Sequence, residues 1–157
     1  NYLSPALVDS KWKHFRVRRG DLLISGSAST GFCSEVDGAT EGAVPYTGII
    51  IIRPRPDITE RDFVRWFMLS HSFSTQVDLA RSGSTIQHFG PSHLARMFVA
   101  VPPLDEQHAI ATFLYQETAK IDALAAKIRS GITLLQEYRT ALISAAVTGK
   151  IDVRNAA

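Results

Sequence analysis

The stretch from Asp105 to Val147 constrains the fold most, because aliphatic residues recur along it at alternating steps of three and four. One heptad position is aliphatic at every repeat and is occupied by Leu114, Ile121, Ile128, Leu135 and Leu142. A companion position four residues earlier holds Ile110, Leu124 and Tyr138, among others. A register kept over about five heptads predicts a coiled-coil helix.

A helix from Asp105 to Val147 would extend roughly 64 Å, which is more than a compact domain of its own can cover. We therefore expect a second helix to pack on the residues Ile110, Leu114, Ile121, Leu124, Ile128, Leu135, Tyr138 and Leu142. Asp105 is the expected N-cap, and Gly149 is placed as a helix-ending glycine.

Gly131 leaves two alternatives open, because glycine inside a helix costs about 1 kcal/mol relative to alanine. The helix either continues through Ser130 and Gly131 or breaks there into a hairpin. We favour a continuous helix, because a hairpin loop has no reason to preserve the heptad register on both sides.

The chain before this helix alternates between predicted strands and helices. The pattern predicts strand, turn and strand over His14 to Ser25 and a strand buried on both faces over Gly48 to Pro54. A helix is predicted over Ile58 to Phe73, with a capping-box-like start at Thr59, and a second helix over Thr75 to Arg81. A last strand is predicted over Ala95 to Pro102. The predicted fold class is α+β. A globular mixed domain over residues 1–103, cut short at its start, precedes a long helix and short tail over residues 104–157.

Charge is unevenly distributed along the 157 residues, whose formal net charge is +2. Five basic residues and two acidic ones lie between Asn1 and Ile24, namely Lys11, Lys13, Arg16, Arg18, Arg19, Asp9 and Asp21. The segment from Leu104 onwards has six of each sign. An anion-binding surface is therefore expected in the first part of the chain.

Cysteine use and hydropathy favour a cytoplasmic location. Cys33 is the only cysteine, so an intramolecular disulfide is impossible and a reducing compartment fits. The longest apolar run, at Gly48 to Ile52, is far too short to span a membrane. The chain begins at Asn1 rather than Met, so we expect either a piece of a longer protein or a protein whose first part was removed.

The sequence contains none of the familiar catalytic motifs. Phe32 stands where a phosphate-binding loop opened by Gly26 and Gly31 would need lysine. The five histidines are scattered, and His88 and His93 have no acidic or cysteine neighbour, so no metal site is expected. We therefore predict that the chain is not an enzyme and needs no cofactor.

Three quoted segments resemble a known family. "VPPLDEQHAIATFL", "IDAL" and "LLQEYRTALISAAVTGKIDV" resemble the conserved region of specificity subunits of type I restriction–modification systems. "VRRGDLLIS", "FVRWFMLSHSF" and "SGSTIQHFGPSHL" are similar to the target-recognition domain that precedes it. The most specific residues are Pro102, Pro103, Leu104, Glu106 and Gln107, together with the ending from Thr148 to Asp152.

The resemblance implies a DNA-recognition module that recognises one half of a two-part target. The long helix would act as a spacer and as a docking surface for the modification (methyltransferase) subunit. It would pair with the second half of the subunit or with a second copy, and a restriction motor subunit would join the full complex. Methylation and cleavage belong to those other subunits in this family, which fits the missing catalytic motifs.

On this basis the residues expected to contact double-stranded DNA are Lys11, Lys13, His14, Ser27, Thr30, Ser84, Thr85, Gln87 and His88. Cations neutralise phosphates, while Gln, Ser, Thr and His can reach base edges. The alternative is that the basic residues form a solvated face, the loops only connect strands, and the chain is a coiled-coil dimerisation scaffold that does not bind DNA. Phe63, Trp66 and Phe67 have helical spacing, which favours a core position over base stacking.

Overall fold

The computed structural model describes residues 4–26, 33–81 and 89–154. The elements in chain order are α1 (Pro5–Leu7), a π-helical turn (Val8–Trp12), a 3₁₀ turn (Lys13–Phe15), β1 (Leu22–Ser25), β2 (Cys33–Glu35), β3 (Ile49–Ile52), α2 (Arg61–Met68), α3 (His71–Arg81), α4 (Pro91–Leu94) and α5 (Leu104–Val147). The fold is α+β, as the sequence predicts.

β1 is the central strand of a three-stranded antiparallel sheet ordered β2-β1-β3. Its register pairs Leu22 with Ile52 and Ile24 with Cys33. Leu22 and Ile24 are fully buried while the residues between and after them are half-buried, which is the alternation of a strand with one face on a core. The predicted strand over Leu22 to Ser25 is confirmed.

The core lies between that face of β1 and the helices. Leu22 and Ile24 form one buried cluster with Met68 of α2, Phe73 and Val77 of α3, and Phe89. The Phe67 ring, half-buried, meets Phe73 edge-on with centroids 5.6 Å apart. Burying a side chain such as Phe73 or Leu22 contributes about 1.5–3 kcal/mol, so this cluster is the main source of stability in the first part of the chain.

The four isoleucines of β3 are half-buried rather than covered on both faces, so that expectation is wrong. β3 pairs with β1 on one side only and is an edge of the sheet among the described residues. An apolar run alone does not distinguish an edge strand from a central one.

The predicted last strand over Ala95 to Pro102 is also wrong, because these residues form a turn and an irregular segment. The Gln76 side-chain amide accepts from the Phe98 N–H at 2.8 Å and donates to its carbonyl at 2.9 Å. A side chain thus satisfies the backbone groups that a neighbouring strand would otherwise pair.

The first half of the predicted hairpin over His14 to Ser25 is replaced by the 3₁₀ turn and an extended segment. Val17 pairs its backbone with Gly42 and Ala43, each bond measuring 2.9 Å, without forming a strand. The turn before β1 lies at Arg19 and Gly20 as predicted, and Gly20 has a positive φ of 83°.

Both middle helices differ from their predicted bounds. α2 is capped by Glu60, whose carboxylate accepts from the Phe63 N–H at 2.8 Å, rather than by a start at Thr59. α3 begins at His71, four residues before the predicted Thr75. The Ser70 hydroxyl accepts from the Phe73 N–H at 3.2 Å and satisfies one donor of that first turn.

α5 is one helix of 44 residues that continues through Gly131, so the hairpin alternative is wrong for this structure. It begins at Leu104, one residue before the predicted Asp105. Gly149 has φ 74°, and the Lys150 N–H reaches back to the Ala145 carbonyl at 2.8 Å. This is the glycine-ended helix terminus that the sequence predicts.

The chain divides into two compact units, Asn1–Thr112 and Phe113–Ala157. The first unit contains the sheet, α1 to α4 and the first turns of α5. The second contains the rest of α5 and the tail.

Candidate nucleic-acid interface

Three of the nine expected DNA-contacting residues lie in the basic segment before the sheet. Lys11 is in the π-helical turn, Lys13 and His14 are in the 3₁₀ turn, and all three side chains are exposed. Neither lysine forms an ion pair with a described residue. An ion pair between Asp9 and Arg16 at 2.7 Å links the two ends of this segment. The ring centroids of His14 and Phe15 are 4.2 Å apart. Solvated lysines of this kind can neutralise phosphates without first breaking an internal pair.

The other six, Ser27, Thr30, Ser84, Thr85, Gln87 and His88, lie outside the described residues. The structure does describe Gly26, which precedes the first of their two segments, and Phe89, which follows the second. The Phe89 N–H donates to the Gly26 carbonyl at 3.0 Å, and the Gly26 N–H donates to the Gly48 carbonyl at 2.8 Å. A Cβ on residue 26 would stand 2.3 Å from the Phe89 oxygen, so only glycine fits there. Gly26, which precedes the first segment, and Phe89, which follows the second, are therefore held together.

At the opposite end of β1, the buried Asp21 carboxylate pairs with Arg53, whose side chain is 43% exposed. Sequence analysis does not single out this pair. The Arg53 guanidinium donates to the two Asp21 oxygens at 2.7 and 2.6 Å, and the Arg18 N–H donates to the same carboxylate at 2.8 Å. The bonds from Arg53 hold the pKa of Asp21 below its ordinary value, against the opposing effect of burial. The pair holds the turn from Arg18 to Asp21 against the end of β3.

Gln107 is the second buried polar residue that sequence analysis did not assign a role, although it belongs to the quoted Pro-Pro-Leu signature. Its side chain is buried in the first turns of α5. The amide oxygen accepts from the Glu60 N–H at 2.8 Å, while the nitrogen donates to the carbonyls of Ile58 and Pro102 at 3.0 and 2.7 Å. One side chain therefore fixes the start of α5 to the loop before α2.

The aliphatic stripe of α5 is solvent-exposed over most of its length. Ile110 and Leu114 are half-buried, whereas the later members are between 45% and 69% exposed: Ile121, Leu124, Ile128, Leu135, Tyr138 and Leu142. A would-be Cβ at Gly131 meets nothing within 4 Å, so this position is open as well. Within the described residues the stripe is an apolar surface available to another helix.

The described residues contain no group of three or more His, Cys, Asp or Glu side chains placed to hold a metal ion. Among the helices that the structure describes, α5 included, none combines the length and apolarity required to cross a membrane.

Comparison with known proteins identifies the class. The sequence model described as "Type I restriction modification DNA specificity domain" matches residues 9–134, which is most of the chain. The chain therefore belongs to this family, the DNA specificity domains of type I restriction–modification systems.

Particular relatives are distant and much longer. The type I restriction enzyme EcoKI specificity subunit of Escherichia coli K12 is 27% identical over 101 residues, covering 64% of this chain and 22% of the relative. The StySPI specificity subunit of Salmonella potsdam is 25% identical over 100 residues, covering 64% of this chain and 21% of its own length. The chain thus spans about a fifth of the length of these curated relatives.

Solved structures share the fold. The HsdS subunit from Thermoanaerobacter tengcongensis matches with a TM-score of 0.59 at 20% identity, covering 90% of this chain and 36% of that one. A chain from a structure titled for complex assembly and conformational transition of the type I R-M system matches with a TM-score of 0.60 at 20% identity, covering 89% of this chain and 35% of its own length.

Proposed function

We propose that this chain recognises one half of a two-part DNA target and uses α5 as the spacer that joins it to a second half. Residues 1–103 form the recognition domain, and residues 104–157 form the spacer and its tail. The recognising groups are the basic segment at Lys11, Lys13 and His14 and two segments, the one that follows Gly26 and the one that precedes Phe89.

One observation carries the spacer role, namely the exposed aliphatic stripe from Ile121 to Leu142 on a 44-residue helix. Six large apolar side chains that are each at least 45% exposed cost free energy in water and are the usual sign of an interaction surface. Their heptad spacing fits another helix better than a sheet or a loop. The partner helix is that of a second copy or of the second half of a longer subunit.

The same helix is proposed to dock the modification subunit, with a restriction motor subunit joining the full complex. The chain itself is proposed to be non-catalytic. Support for this comes from its family and from its acidic residues, which occupy structural positions: Asp21 in an ion pair, Glu60 at a helix cap and Glu117 in a pair with Lys120 at 2.7 Å.

A reconstitution assay tests this division of labour. The purified chain is incubated with duplex DNA and labelled methyl donor, alone and with a modification subunit of the same type I system. We expect incorporation only in the mixture, and we expect Leu124→Asp/Leu135→Asp to reduce it. Incorporation by the chain alone, abolished by a point mutation within it, would contradict the proposal.

The alternative is a coiled-coil scaffold that does not bind DNA, since the stripe alone would serve either role. A gel shift with duplex DNA at rising salt separates the two. A shift that disappears with salt supports recognition of DNA, whereas no shift at low salt supports the scaffold.

A further inference from the structure

A cleft of about 620 Å³ opens to solvent beside the Asp21–Arg53 pair, at the end of β1 away from Gly26. It is bounded by the turn before β1, the end of β3 and the start of α2. Among the described residues that line it are four arginines and two carboxylates: Arg18, Arg19, Arg53, Arg61, Asp21 and Glu60.

Both carboxylates of the cleft are already engaged. Asp21 is 3% exposed and accepts three hydrogen bonds, two from Arg53 and one from the Arg18 N–H. Glu60 caps α2 through its bond to the Phe63 N–H. Each carboxylate therefore has hydrogen-bond partners within the fold, and neither forms an ion pair with Arg18 or Arg19.

Two of the arginines are fixed by carboxylates. Arg53 is held by Asp21, while Arg61 pairs with Glu35 at 2.9 Å and with Asp62 at 3.0 Å. The Arg61 side chain also lies against Gly20, 3.5 Å from the place where a Cβ would stand. These two guanidinium groups are held at one side of the cleft, and their charge is offset by the carboxylates they pair with.

The other two arginines of the cleft, Arg18 and Arg19, have no carboxylate partner of this kind. Arg18 and Arg19 are exposed, and neither guanidinium makes an ion pair or hydrogen bond to a described residue. They lie on a tight turn, closed by the bond from the Asp21 N–H to the Arg18 carbonyl at 3.0 Å and by the positive φ of Gly20. The Glu41 carboxylate accepts from the Arg19 backbone N–H at 3.4 Å. The turn thus presents two guanidinium groups that have no ion pair with a described residue, beside two arginines that do.

We propose that this cleft binds a phosphate group of the DNA backbone through Arg18 and Arg19. Guanidinium forks bind phosphate in a bidentate manner, and their planar shape means that less entropy is lost for each hydrogen bond formed than with lysine. DNA is favoured over an acidic polypeptide because the two arginines continue the basic segment of Lys11 and Lys13, so the charges follow one stretch of chain. This inference rests on the proposed function and adds a phosphate site at the sheet end opposite to Gly26.

The test compares Arg18→Gln/Arg19→Gln with Arg96→Gln/Arg139→Gln, which removes two positive charges from exposed arginines outside the cleft. Binding to a fluorescent duplex is measured by anisotropy over a salt series. Removing one cation that neutralises a phosphate lowers the slope of log K against log salt by about one. We expect the cleft variant to lower the slope by about one to two for every duplex sequence, the control to leave it near wild type, and Arg18→Lys/Arg19→Lys to restore it.

The outcomes distinguish this inference from the proposed function. If wild type binds duplex and the cleft variant keeps the slope and affinity of the control, the phosphate site is wrong while DNA recognition stands. If wild type binds no duplex at low salt, both fail. Polyglutamate in place of duplex tests the other source of anions: binding that disappears in the cleft variant, with duplex binding unchanged, would assign the cleft to an acidic polypeptide and overturn the phosphate assignment.

Discussion

The Gln107 side-chain oxygen accepts a 2.8 Å hydrogen bond from the backbone N–H of Glu60, forty-seven residues earlier in the chain. Glu60 is the residue that caps α2, so the first turns of α5 hold the start of α2 through a single amide. The same amide donates to the carbonyls of Ile58 and Pro102. Gln107 is therefore the point where the first turns of α5, the loop before α2 and the segment at Pro102 meet.

Replacing Gln107 by alanine should destabilise the first unit by about 3 kcal/mol, because three backbone groups lose their partner in a buried place. Gln107→Glu should also destabilise, since a carboxylate cannot donate to the two carbonyls. Gln136→Ala, an exposed position of the same helix, is the matched control and should change stability by less than about 0.5 kcal/mol. Urea unfolding followed by tryptophan fluorescence measures all three, and equal midpoints for Gln107→Ala and the control would remove this role.

The Asp21–Arg53 pair predicts a loss of stability at acid pH. The pKa of Asp21 is lowered from its ordinary value of 3.8 in the folded protein, so the ionised form favours folding. This contribution is present above the unfolded pKa and is lost as the pH falls from about 4 through the folded pKa. Asp21→Asn should cost about 2 kcal/mol at neutral pH, with the difference from wild type shrinking below about pH 4.

Urea unfolding at several pH values measures that difference. Asp122→Asn, at an exposed position of α5, is the control and should show little difference from wild type at any pH. A gap between wild type and Asp21→Asn that stays constant down to about pH 3 would show that the ion pair does not carry the effect.

The exposed stripe of α5 predicts self-association. Leu124→Asp/Leu135→Asp should give a monomer with a folded first unit, because buried charges at a helix seam are costly. Ala126→Asp/Thr133→Asp adds the same charges about 200° around the helix from the stripe and should leave the assembly intact. Sedimentation velocity compares the three proteins; a monomeric wild type at high micromolar concentration would contradict the prediction.

Lys13 and Gln87 should have different effects on DNA binding. Lys13→Ala removes a phosphate-neutralising cation, so it should weaken binding to all duplexes alike and lower the salt slope by about one. Gln87→Ala should instead reduce the difference in affinity between matched and unmatched duplexes, since an amide can bond to base edges. Two variants that bind a matched duplex as wild type does would show that both assignments are wrong.

Local patterns predicted the elements whose causes are local. The α5 helix follows from its heptad period, and its end follows from Gly149, so both could be located from sequence. The last predicted strand could not be corrected that way, because the side chain of Gln76, about twenty residues earlier, satisfies the backbone of Phe98. An apolar β-rich run gives no sign of such a partner.

Some features of the candidate site can likewise be predicted from the sequence, and others depend on the fold. The positive charges of Lys13 and Arg18 can be read from the sequence, and they predict the basic segment. The cleft cannot be predicted in this way, because Arg53 and Arg61 line it together with Arg18 only once β3 and α2 are folded beside the turn. Gln107 stands in a signature that was recognised, yet its burial depends on the convergence of Ile58, Glu60 and Pro102, which no spacing indicates.

The central claim is that this chain recognises DNA sequence, and one measurement tests it most directly. Duplexes are selected from a random library by wild type, and the Kd of a selected duplex is compared with that of a scrambled duplex at the same salt. We predict at least roughly tenfold tighter binding of the selected duplex, with both affinities falling as salt rises. Equal affinity for the two duplexes, or no binding to either at low salt, would contradict the account.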